Sequence, residues 1–130
     1  MICQEISSLV RQKCNAVVFV MSNKGYAIEQ AFVDLKAFTP QGAFAPFDVL
    51  PAWDYLALAK AFGAKGYRAR TVKDLRGVLA KVRTLKDVPA LVEIVIPEKD
   101  LAPQLKRLAE DPPPTLRKYG RTPAPRKKSK

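Results

Sequence analysis

The chain has 130 residues, a formal charge of +11, 48% hydrophobic residues and no histidine. One domain's length with that apolar share can bury a core, which excludes a disordered chain. The missing histidine excludes Ser–His–Asp and Cys–His catalysis, and Cys3 and Cys14, eleven positions apart, make neither a zinc cluster nor a CxxC redox pair. Residues 4–13 read as a short helix, with Ile6, Leu9 and Val10 on one face. Residues 16–21, AVVFVM, form a continuous apolar run of the kind found in strands buried on both faces of a helix-covered parallel sheet. Ser22, Asn23, Lys24 and Gly25 then supply turn chemistry, and 26–33 reads as a helix.

Residues 34–51 contain Pro40, Gly42, Pro46 and Pro51 among scattered phenylalanines, and a loop of that length is usually a binding or functional surface. The next helix is predicted over 51–62, with Pro51 in its first turn and Gly63 at its C-terminal cap. Residues 66–70 read as a short strand. Thr71 caps a helix whose stripe is Val72, Leu75, Val78, Leu79 and Val82. Residues 91–96, bracketed by Pro89 and Pro97, read as a buried strand, with Glu93 paired or at the sheet's rim. Asp100 caps a last helix to about 109, with Pro103 in its first turn. Trp53 is expected to pack at a helix start.

Alternating strands and helices predict an α/β fold, an incomplete doubly wound parallel sheet with flanking helices. The domain is expected over 1–110. Residues 111–130 hold seven basic residues and five of the eleven prolines with little apolar content, and are expected to be a disordered basic tail. No apolar run approaches the roughly 18 residues of a membrane span. A cytoplasmic protein with no membrane partner is expected. Without aromatics among the terminal charges, nucleic acid is not an expected partner.

Ligands of open α/β sheets sit beyond the carboxyl ends of the strands. The first strand ends in Met21-Ser22-Asn23-Lys24-Gly25-Tyr26-Ala27-Ile28-Glu29. Asn23 offers an oxygen ligand and Gly25 lets backbone approach closely. The following helix N-terminus favours anions, and Glu29 lies one turn on, leaning back toward the same place. By spacing alone this is also an ordinary Asn-x-Gly turn with an ordinary helix-dipole glutamate.

The residues Gln4-Glu5-Ile6-Ser7, the apolar strand and Ser22-Asn23-Lys24-Gly25-Tyr26-Ala27-Ile28-Glu29 resemble the thiamine-diphosphate-binding domain of the 2-oxo acid decarboxylases, the pyruvate and indolepyruvate group in particular. Trp53-Asp54-Tyr55, Phe62-Gly63-Ala64 and Leu91-Val92-Glu93-Ile94 extend the resemblance to about 2–109. It implies thiamine diphosphate and Mg2+ as cofactors, with Asn23 and the Gly25 carbonyl as metal ligands and Tyr26 among the cofactor-binding residues. It implies Ile28 as a wall of the substrate pocket and Glu29 as the catalytic carboxylate, raised in pKa by apolar surroundings. Ser22 departs from the family's first asparagine. The family's Gly-Asp-Gly element and its pyrimidine-binding domain have no counterpart in the 130 residues. The resemblance therefore implies the C-terminal part of a decarboxylase, inactive alone, whose substrate is a 2-oxo acid and whose partner is the pyrimidine-binding domain or a second subunit. The alternative is a non-catalytic interaction module, or a subunit of a split thiamine-diphosphate enzyme, with a basic tail for acidic partners.

Overall fold

A computed structural model describes residues 3–110, except the side chains of 108–110. The expected tail over 111–130 lies outside the described residues. The elements are α1 (Glu5–Arg11), β1 (Val17–Ser22), α2 (Ala27–Val33), α3 (Tyr55–Ala61), β2 (Lys65–Ala69), α4 (Val72–Val82), β3 (Ala90–Val95) and α5 (Pro103–Glu110). Two 3-10 turns, Leu35–Phe38 and Pro46–Asp48, lie within the segment expected to be a loop. The chain divides into two compact units. Among the described residues, the first runs to Lys24 and resumes over Pro51–Pro97; the second holds Gly25–Leu50 and 98–110.

The first unit holds the sheet. Its three strands are parallel in the order β1-β3-β2. Alternation along β3 sends side chains to opposite faces. Ala90 and Val92 meet Val78 and Val82 of α4, while Leu91 meets Ala59 and Ala64 with Ile6 and Val10 of α1. Helices therefore cover both faces, as the alternating pattern predicts.

Only β3, the central strand, is buried as a strand between two layers should be, from Ala90 through Glu93. β1 lies at the edge, with Phe19 45% and Met21 57% exposed, which corrects the reading of 16–21 as buried on both faces. The physical reason is strand order: the last strand in the chain takes the middle place.

Local chemistry fixes the helix ends. α3 begins at Tyr55, not at Pro51, because the Asp54 side chain accepts the Leu56 and Ala57 N–H groups at 3.1 and 3.2 Å. Gly63 ends it at φ +82°, where its N–H reaches the Lys60 carbonyl and that of Ala64 reaches Ala59. α5 begins at Pro103 rather than just after Asp100.

Thr71 caps α4 reciprocally with Asp74, as a capping box. Val72, expected in the buried stripe, is 68% exposed in the first turn. The Arg70 N–H, and then Thr71, hold the Asp74 carboxyl below the usual carboxylate range. A depressed folded-state value contributes stability above the unfolded pKa that is lost as pH falls through the folded one. The melting temperature of the wild type should therefore exceed that of Asp74→Asn at neutral pH. The two should converge on acidification below the carboxylate range; a gap that persists there would assign the effect to something other than this titration.

In the second unit, Lys99 Nζ donates to the Thr39 and Gly42 carbonyls, both at 2.7 Å. Phe44 is buried, and its ring centroid lies 5.0 Å from that of Phe38. No helix among the described residues is long and apolar enough to cross a membrane.

Candidate functional site

β1 carries the chain to Asn23, which is half-buried. Lys24 turns it in the left-handed region at φ 61°. Gly25 then opens the second unit and is buried. A β-carbon on Gly25 would lie 3.0 Å from the Asp48 carbonyl oxygen and 3.1 Å from the Phe44 ring. The close approach that requires glycine is thus to the chain's own 44–48 segment. Gly25 also forms a β-bridge with Val49, and the Tyr26 N–H donates to the Asp48 carbonyl at 2.8 Å.

Tyr26 is the N-cap residue of α2 and is 50% exposed. Ile28 and Glu29 follow on α2, both exposed. The apolar surroundings expected around Glu29 are not supplied by its own unit. α2 has only seven residues, so its dipole is too short to argue for an anion site.

Gln30 anchors α2. It is 2% exposed; its Oε1 accepts the Ala45 N–H at 2.6 Å and its Nε2 donates to the Asp34 carbonyl at 3.4 Å. Asp48 is equally buried, and its Oδ2 has no hydrogen-bond partner among the described residues. Reading from the sequence passed over both. The available signal was Asp48 itself, the single acidic residue between Leu35 and Trp53.

Within the second unit, then, Gly25 and Tyr26 are gripped by the 44–48 segment, and Glu29 stands exposed beside the anchored Gln30. Asn23 is tied to Gly25 by its two-residue spacing along the chain. No group of three or more His, Cys, Asp or Glu that could hold a metal occurs among the described residues. Asn23 and the Gly25 carbonyl offer two neutral oxygen donors. Both are of the hard-oxygen type that Mg2+ takes.

The first unit has its own cavity of about 550 Å3 between α1 and α3, floored by Val18, Val20 and Leu91. None of the predicted site residues lines it. Trp53 does; its ring lies 6.3 Å from that of Tyr55, the first residue of α3, so it packs at the helix start as expected while remaining 52% exposed.

Residues 1–94 match the thiamine pyrophosphate enzyme C-terminal TPP binding domain, and the chain belongs to that family. It is similar to a pyruvate decarboxylase of Aspergillus fumigatus, 35% identical over 113 residues, covering 82% of this chain and 18% of the relative. An alpha-keto-acid decarboxylase of Mycobacterium leprae is 32% identical over 108 residues, covering 81% and 18%. Pyruvate decarboxylase isozyme 2 of Saccharomyces cerevisiae is 30% identical over 112 residues, covering 82% and 18%. The chain thus spans about 18% of the length of these relatives.

Proposed function

We propose that this chain is the thiamine-diphosphate- and Mg2+-binding part of a non-oxidative 2-oxo acid decarboxylase. The observation that carries the reading is the family match combined with the position of Asn23 to Glu29 where β1 leads into α2. Asn23 and the carbonyl of Gly25 would be the residues that hold Mg2+, which would supply the positive charge that binds a diphosphate. Tyr26 would be among the residues that hold the cofactor. When bound, thiamine diphosphate supplies the electron sink for the pair released with CO2. Ile28 gives the 2-oxo acid an apolar wall. Glu29 holds a proton at its carboxyl and passes it between substrate and solvent.

A chimera tests this. Residues 2–109 replace the corresponding segment of a pyruvate decarboxylase relative that lacks turnover without that segment. Thiamine-diphosphate-dependent CO2 release from a 2-oxo acid is expected to return, whereas the isolated 130-residue chain shows none. A chimera that folds but binds no cofactor would overturn the reading. Turnover of pyruvate, phenylpyruvate or indolepyruvate by the isolated chain would overturn its dependence on a pyrimidine-binding domain.

A further inference from the structure

The cavity between α1 and α3 lies wholly within the first unit, and at about 550 Å3 it has the size of a small-molecule site. Val18 and Val20, in its floor, are only half-buried, although both pack against the core around Ala59 and Leu91. Apolar space of this kind takes apolar molecules; a dry cavity of about 150 Å3 already binds benzene. Trp53 and Tyr55 give it an aromatic wall, their rings tilted at 50° to each other, and Trp53 keeps half its surface open. Such rings receive a ligand ring edge to face.

Charge says what kind of ligand fits. Glu5 and Ser8 of α1 line the cavity together with Gln12 at that helix's C-terminal cap, spacings that put all three on one helical face. Ser8 Oγ donates to Glu5 Oε2 at 3.2 Å, which ties the carboxylate to that face. The chain has 23 basic and 12 acidic residues, yet among the described residues no Lys or Arg lines the cavity and Glu5 is its one carboxylate. We propose that this cavity binds a small amphipathic amine, its apolar or aryl body on the sheet and its ammonium group toward Glu5. A carboxylate or diphosphate ligand would meet repulsion there and no described counter-charge. The site shares no residue with the stretch Asn23 to Glu29.

The test is titration of the full 130-residue chain with phenylbutylamine, phenylbutanol and phenylbutyrate, which share a body and differ in the head. Trp53 is the single tryptophan, so its emission reads occupancy of the cavity. A saturable change is expected with the amine. The acid should bind about tenfold more weakly, attraction and repulsion at one exposed carboxylate counting together. The chain's charge of +11 acts in the opposite sense, so a preference for the amine reads the cavity and not the bulk field. Glu5→Gln keeps the side chain's shape on an exposed position; it should weaken the amine by about threefold to fivefold and remove its advantage over the alcohol. Val20→Phe fills the floor and should abolish the response to all three, at an unchanged or higher melting temperature.

No saturable change with the amine overturns the proposal. So does an acid that binds as tightly as the amine, an amine advantage that survives Glu5→Gln, or a folded Val20→Phe variant that still responds. Should Val20→Phe fail to fold, the Glu5→Gln titration decides alone. Trp53 emission that shifts with protein concentration in the absence of any probe would place a second copy of the chain over the cavity and overturn the proposal as well.

Discussion

Replacing Arg68 with methionine should cost about 3 kcal/mol of stability or more, as expected when a buried ion pair loses one partner. Glu93 lies in the central strand with 5% exposure, directly opposite Arg68 in the β2–β3 register. Arg68 Nε donates to Glu93 Oε2, and its Nη2 lies 3.6 Å from Asp54 Oδ1. The Glu93 hydrogen bond outweighs the opposing effect of burial and raises the Arg68 pKa from its usual value, with the charges of Glu93 and Asp54 adding to the rise. The methionine would leave a carboxylate in the sheet with no donor, and domains of this size have only about 5–15 kcal/mol of stability to lose.

Arg68→Met combined with Glu93→Leu removes both charges and should recover most of the loss, since apolar replacements of buried pairs are often neutral. Chemical denaturation of the two variants decides it. A double variant no more stable than the single one would mean that the loss comes from packing, not from the stranded charge. Asp54 couples this pair to the start of α3, because the same oxygen that faces Arg68 caps the helix.

Glu29→Gln, made in the decarboxylase chimera, should lower turnover by about 100-fold or more, the usual scale of a lost general acid–base group. Thiamine diphosphate affinity should stay close to that of the parent chimera. Glutamine keeps the shape and hydrogen-bonding reach of the side chain but carries no transferable proton. Because Glu29 is exposed on α2, the exchange removes no buried contact within its unit. Steady-state turnover and cofactor titration on the same preparation separate chemistry from binding. An unchanged rate would remove Glu29 from the proton-handling role; an equal loss in cofactor affinity would make it a binding residue.

Much of the sheet was legible because its signals are local. Pro89 and Pro97 bracket β3, Thr71 and Asp74 announce α4, and Gly63 marks the end of α3. The misplaced start of α3 came from two competing start signals, Pro51 and Asp54, of which the side-chain cap prevailed. The exposure of β1 could not be read because apolar periodicity carries no information on which strand becomes central.

In the site, the stretch Asn23 to Glu29 was legible as a motif. The grip on it was not. Gln30 meets Ala45 across fifteen positions, and Asp48 meets Gly25 across twenty-three. Such partners are set by how the 34–50 segment folds back, and spacing along the sequence says nothing of that.

The central place of β3 has a consequence for the order in which the protein can be made. β1 and β2 do not pair with each other; each pairs only with β3, Val17 and Lys65 both meeting Ala90. During synthesis the two earlier strands emerge with no partner in this sheet and wait until residues 90–95 have left the ribosome. Every strand pairing is therefore long-range, and such contacts form slowly because distant segments must first be brought together. Among the described strands, neither edge strand can be paired until β3 is present.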